Sequence, residues 1–351
     1  MNKLYVIFII IVFLVKTGNV FSSESIFDVD NIVLNKEIHK KNEDLLNSAF
    51  KKGFYKLIQK ILKTEDIKKV SNTNLGQIRE LISHYRIIQD QDTDKQNEVK
   101  INLSFDREKI NSFFFSKNIS YADISKTRIV ILPILMEENK IYIYSENYFY
   151  NNWNNNEGIK EKENDFIEYI VPVESIEDMQ FINKNIKNLE SLRVKKLLSG
   201  YEIEDYIFLI IRNSNEKFDV FLKGKISGNK IIKNISFEDE KKDKEVRFNN
   251  IINKTKREID DIWKSNNLID LRTPSFLNFS LNLKNPNDLL KLKNALIRID
   301  LIENYNVLEL SKNYARIKIK YLGKIDKIKQ KLNEQGIKIV ISDEIWTLEL
   351  V

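Results

Sequence analysis

Arg128-Ile-Val-Ile-Leu-Pro-Ile-Leu135 decides how this chain is read. After the arginine every side chain is apolar, and Ile129, Val130, Ile131 and Ile134 are β-branched. A strand with one wet face alternates; a short run without alternation predicts a strand buried on both faces, between layers of helix. Tyr206-Ile-Phe-Leu-Ile-Ile211 echoes the pattern. The two stretches mark a buried α/β centre, and the sequence on either side reads as less buried modules attached to it.

Around this centre, residues 121–240 form a central module. Residues 140–144 predict a neighbouring strand, and 166–171 another that ends at Pro172. Between them lie the aromatic, asparagine-rich Tyr148-Phe-Tyr-Asn-Asn-Trp153 and a polar loop, 154–164. Ser175 is placed to cap a helix with Asp178 at its third position, where a carboxylate suits the helix dipole. A second helical run covers 189–198 and stops at Gly200. Strands at 206–211, 218–222 and 231–237 complete a sheet with an antiparallel edge, Ser227-Gly-Asn229 turning between the last two. Gly224-Lys-Ile-Ser-Gly-Asn229 lacks the spacing and context of a phosphate loop.

Upstream, residues 23–120 read as strand, helix, helix, strand, strand, helix. The first strand alternates through Phe27, Val29 and Val33. Leu45, Leu46, Ala49, Phe50, Phe54, Leu57, Ile58, Ile61 and Leu62 make one helical stripe. Gly53 inside it costs ~1 kcal/mol against alanine. A shorter helix covers 78–82, strands 85–88 and 99–105 pair as a hairpin, and Asp106 caps a helix carrying Ile110, Phe113 and Phe114.

Downstream, residues 241–271 predict a charged connector helix whose stripe of Phe248, Ile252, Thr255, Ile259 and Ile262, with Trp263 beside it, docks on a neighbour. Residues 272–351 give the order β-α-β-β-α-β, the split βαβ or ferredoxin-like arrangement. Its helices carry Leu289, Leu292, Leu296 and Ile299, then Ile325, Ile328 and Leu332; Asn285 and Pro286 are placed as N-cap and first residue of the former, and Gly336 terminates the latter. Strands at 337–341 and 345–350 end the chain. The expected class is a multi-module α+β / α/β protein: an N-terminal helix–hairpin module, a central sheet with helices on its faces, and the ferredoxin-like module.

At the other end, residues 1–22 join Lys3 to a 12-residue apolar run from Leu4 to Val15. A membrane span needs about 20 residues, so the run suits a secretory signal peptide cleaved before Ser23, with an uncleaved anchor as the alternative. The formal charge is +6, and removing Lys3 and Lys16 with the leader leaves +4. Lysines and acids are interleaved throughout, so the basic balance points to no nucleic-acid partner. The absence of cysteine excludes disulfides, thiolate metal sites and thiol nucleophiles. The two histidines, His39 and His84, exclude a histidine-rich metal cage and stand at no motif spacing from a serine or carboxylate.

Chemistry is concentrated in two places. Glu174, Glu177 and Asp178 gather near a strand's carboxyl end, where open α/β sheets bind ligands and where paired carboxylates do acid–base work or hold a cation. Acids in a first helical turn also need no purpose beyond capping. Tyr148 and Trp153, with their aromatic neighbours, are candidates for a stacking platform or for core packing. No catalytic residue, metal site or cofactor is assigned.

Ile-Val-Ile-Leu-Pro at the central strand, the tryptophan-bearing segment, Ile170-Val-Pro-Val-Glu-Ser-Ile-Glu-Asp178 and Tyr206-Ile-Phe-Leu-Ile resemble an uncharacterised family of proteobacterial exported proteins, domain-of-unknown-function family 2066. The resemblance covers most of residues 25–350; the chain departs from the family in its low Gly, Ala and Pro content. It implies a periplasmic setting and no assigned activity or functional residue. The expected function is a non-enzymatic binding or scaffold component of the cell envelope. Its partner would be another envelope protein, with membrane contact only through an uncleaved leader. A hydrolase or a small-ligand-binding protein using residues 174–178 is the alternative.

Overall fold

A computed structural model describes residues 25–35, 42–88, 97–123, 126–138, 140–155, 166–198, 200–214, 217–238, 243–271, 273–285, 287–342 and 345–350. The leader, His39, most of the 154–164 loop and Pro286 lie outside them. Among the described residues the fold is mixed α/β, with four sheets, ten α-helices and no barrel.

The central sheet contains β5 (Thr127–Glu137), β6 (Lys140–Tyr142), β7 (Ile167–Ile170), β8 (Tyr206–Ser214), β9 (Lys217–Ile226) and β10 (Asn229–Glu238). Its order is β10-β9-β8-β5-β6, with β7 on β5 as well. β5 runs parallel to β8, Val130 opposite Tyr206 through Glu137 opposite Asn213, so the two apolar runs are neighbours. Residues 129–135 of β5 are buried without interruption, as a doubly covered strand requires. One face packs on α5 (Tyr148–Asn152) and α8 (Lys244–Asn266) through Phe149, Phe248, Ile252, Ile259 and Trp263. The other packs on α6 (Ile176–Lys184), α7 (Val194–Leu197) and the segment between them, through Ile182, Leu189, Val194 and Leu197. α8 thus docks its stripe on the central sheet. Residues 189–198 are not one helix: a 3-10 turn at Ile186–Ser191 is cut from α7 by the extended backbone of Leu192.

The chain's first sheet has the order β1-β3-β2, from β1 (Asp28–Asn35), β2 (Ile82–Ile88) and β3 (Glu98–Phe105). Simple alternation placed Val33 inward with Val29, but a bulge lies between Val29 and Ile32. Asn31 there takes φ +56, and its N–H bonds Asn102 Oδ1 at 3.0 Å. The extra residue turns Ile32 and Leu34 into the core instead. Helix α1 (Asn42–Ile61) lies on this sheet. A Cβ on its Gly53 would stand 2.2 Å from Leu103 Cδ1, so the glycine permits close helix–sheet approach. α2 (Thr64–Val70) and α3 (Leu75–Leu81) follow; Asp106 caps α4 (Arg107–Ser116), accepting from Lys109 N at 3.0 Å.

The last sheet contains β12 (Ser275–Asn282), β13 (Ile302–Leu310), β14 (Tyr314–Tyr321), β15 (Ile337–Ser342) and β16 (Ile345–Leu350), in the order β13-β14-β12-β16-β15. The final hairpin folds back so that β16 lies parallel to β12 and β15 stands at the edge. α9 (Asp288–Ile297) and α10 (Ile325–Glu334) cover one face. α9 starts at Asp288, later than Asn285 and Pro286 suggested. The Asp288 carboxylate instead accepts from the backbone N–H groups of Lys284 and Asn285, at 2.9 and 2.8 Å, and folds the preceding turn.

The first and last sheets share one continuous hydrophobic cluster. β4 (Tyr121–Ala122) pairs with β11 (Leu268–Ile269) across the join. Tyr121 meets Phe27 edge to face at 5.6 Å between ring centroids, and Arg107 Nη1 donates to Asp300 O at 3.0 Å. Lys264 of α8, 1 % exposed, ties the central sheet's helix to α1. It donates to Gln59 O at 2.6 Å and Leu62 O at 2.9 Å, two of the carbonyls a helix end leaves unpaired, and pairs with Asp260 at 2.8 Å.

Candidate functional site

The edge of β5 positions the site. β7 pairs with its first part, Thr127 to Val130, and β6 with its last, Leu135 to Glu137. The interval between contains Pro133. Fully buried Asn147 fills it, donating to Pro133 O at 2.9 Å and accepting from Phe149 N at 3.0 Å as the cap of α5. In a strand a residue's N and O point the same way. The proline nitrogen therefore faces this interval, and its missing N–H removes no bond to β8.

The chain leaves β7 through Val171 and Pro172 into a corner before α6, fixed by four contacts. Tyr150 Oη donates to Pro172 O at 2.7 Å, and Val173 N donates to Tyr201 Oη at 2.7 Å. Ser145 N donates to Glu174 Oε1 at 3.0 Å. Ser175 Oγ accepts from Asp178 N at 3.2 Å, as the capping pattern predicts. Tyr144 stands beneath, edge to face with Tyr150 at 5.4 Å, its hydroxyl 3.4 Å from Asp178 Oδ2. Its φ of +55 is unusual for a bulky residue and holds the turn after β6 in place. Burial, then the Asp178 charge, pushes the Tyr144 phenol above its ordinary pKa. Burial and then Glu174 do the same to Tyr150. Both phenols are thus protonated donors at neutral pH and poor bases or nucleophiles.

The five sequence candidates divide between the faces of the sheet. Glu174, Glu177 and Asp178 lie at the corner on the α6 side, where Glu174 and Asp178 hold local groups and Glu177 is exposed. Tyr148 and Trp153 belong to the cluster under α8. Trp153 is fully buried, edge to face with Tyr169 at 5.8 Å, so no ligand ring can stack on it as it stands. Among the described residues no three His, Asp or Glu side chains gather as metal ligands. His84 is exposed with Nδ1 3.1 Å from Ser83 Oγ, while that hydroxyl also donates to Ser104 O at 3.0 Å.

Sequence reasoning missed Tyr144, Tyr201, Val173 and Ile176. Val173 is 77 % exposed and Ile176 74 %, on a corner whose backbone is pinned. Two aliphatic residues interleaved with a cap and two acids carry no local signal, and the tyrosines that bond the backbone at 172 and 173 are distant in sequence. Comparison with protein-family models, curated proteins and solved structures finds no match for the chain.

Proposed function

We propose that this chain is an exported, non-enzymatic binding component of the cell envelope, and that the corner at residues 172–177 is its contact surface for another envelope protein. One observation carries the reading: Val173 and Ile176 stand in solvent on a backbone held by Tyr150, Tyr201, Ser145 and Ser175. Burying apolar surface contributes about 25 cal/mol per Å². A pre-ordered corner loses little of that gain to ordering on binding. Glu174 and Glu177 flank the aliphatic pair as a charged rim, the usual arrangement of a protein contact. Burial keeps the Tyr144 and Tyr150 phenols protonated, so neither is a ready nucleophile.

The leader at residues 1–22 and the resemblance to domain-of-unknown-function family 2066 support a periplasmic setting. On this reading the chain is three modules, at 23–120, 121–240 and 272–351, with the connector at 241–271 between the last two. The central sheet presents the contact.

A photo-crosslinking residue at position 173, introduced in the native host, tests the proposal. A discrete protein adduct in the envelope fraction, lost on Ile176→Asp while the thermal midpoint holds, is expected. Absence of an adduct at 173, when exposed Phe276 treated alike yields one, contradicts the corner as the contact. N-terminal sequencing of that fraction should start at or near Ser23. Recovery of the full-length chain from cytosol would contradict export.

A further inference from the structure

We infer that β10 is a dimerisation edge, at which a second copy of this chain adds its own β10 antiparallel across a two-fold axis at Asn234. This goes beyond the binding corner and does not depend on it.

Open edges are normally short or interrupted, because a long regular edge recruits other strands. β6 and β7 have three and four residues, and β1, β2 and β13 carry register shifts. β15 runs regularly for six residues. β10 pairs with β9 through ten consecutive residues without a shift, and among the described residues nothing pairs with its other side. Helix α8 lies behind one face, where Lys233 bonds Glu258 at 2.6 Å.

Backbone geometry settles which groups the edge offers. Ser227 and Gly228 both have positive φ and make a two-residue turn, so the flanking pair Ile226 and Asn229 is hydrogen-bonded and bonding alternates from there. Odd-numbered residues of β10 bond β9. Even-numbered residues from Lys230 to Glu238 turn their N–H and C=O groups outward.

A two-fold axis through Asn234 uses all of those residues, for about ten inter-chain hydrogen bonds. Side chains match in the same register. Lys230 faces Glu238 of the other copy, and Glu238 faces its Lys230. On the α8 side half-buried Ile231 meets half-buried Phe237, and the asparagines meet on the axis. Ile232, 69 % exposed, lies over the Ser236 of the second copy. Shifting the centre to Lys233 would place like charges together, while Ile232 or Ser236 as centre forfeits both Lys–Glu pairs.

Sedimentation equilibrium of the full chain tests this. The wild type should dimerise reversibly. Asn234→Pro should be a folded monomer, because the lost N–H points away from β9 and is used only between copies. Lys230→Glu should raise the dimer dissociation constant on the order of tenfold, through two like-charge pairs. Adding Glu238→Lys should restore the wild-type constant, since each mixed pair reforms with signs exchanged. If Asn234→Pro unfolds, the charge exchange alone decides. A monomer at every soluble concentration, a dimer indifferent to Asn234→Pro, or a double exchange no tighter than Lys230→Glu would overturn the inference.

Discussion

The middle of the chain and its two ends solve burial differently. The central sheet is covered on both faces, and its two hydrophobic clusters, one under α8 and one under α6 and α7, stay with it. Each end sheet buries one face only: β3 and β14 alternate between buried and more open positions. Their covering helices meet in a single cluster running from Phe27 to Leu348. A doubly covered sheet is a closed unit, whereas singly covered sheets can complete each other. Residues distant in sequence therefore share one core.

Lys264 is where this contrast is easiest to break, because it joins α8 to the end of α1 while almost completely buried. Lys264→Ala breaks the buried ion pair with Asp260 and removes the donor from Gln59 and Leu62. A loss of about 3–5 kcal/mol is expected in urea unfolding. A loss below about 1 kcal/mol, the range of a surface pair, would mean that the contact is solvated.

Gly53 sharpens the comparison from the N-terminal side. Alanine there gains ~1 kcal/mol of helix propensity. It also places a Cβ against Leu103 Cδ1 and, at 2.8 Å, Ile32 Cδ1. Overpacking of about 1–3 kcal/mol should outweigh the propensity gain, and trimming Leu103 to valine should recover part of it. Thermal midpoints of the two single variants and the double variant give the coupling.

These positions show how much the sequence could say. The run at 128–135 revealed a doubly buried strand, because period alone distinguishes one hidden face from two. Ser175 and Asp106 were legible as caps, because a cap acts on N–H groups two or three residues away. The bulge at Asn31 was not legible, since one backbone torsion reverses every later side chain. Nor was α5, which is capped by Asn147 from a site defined by Pro133 on another strand. The corner at residues 172–177 was half legible: its acids are local, but Tyr150 and Tyr201 reach it through tertiary structure.

Asp123 sits at the join between the ends. Burial holds its carboxyl above the usual range, with Lys327 and Lys331 opposing and Asp300 reinforcing the shift. Asp300 is likewise raised by burial, against Arg107. The folded chain therefore binds these protons more tightly than the unfolded chain does. Their stabilising contribution is full below the ordinary carboxylate range and is lost as pH rises through the elevated values. Asp123→Asn should flatten that part of the stability profile and raise stability at neutral pH. An unchanged slope in denaturation midpoints across the acid range would contradict the assignment.

The smallest effect belongs to the corner. Asp178→Asn keeps the Ser175 cap and loses a first-turn charge, so about 0.3–1 kcal/mol should be lost in urea unfolding. A catalysed hydrolysis or a bound divalent cation in the wild type, absent from this variant at equal stability, would return the hydrolase reading.

The shared core of the ends is tested most directly by hydrogen exchange on the full chain and on Tyr121→Ala. Tyr121 is buried between Phe27 and Phe114, on the strand that pairs with β11. Its truncation should cost about 3–5 kcal/mol. Protection should fall together in β3 and in β14 while β8 keeps its own. A fall confined to β3, with β14 unchanged, would show that the two ends fold as separate bodies.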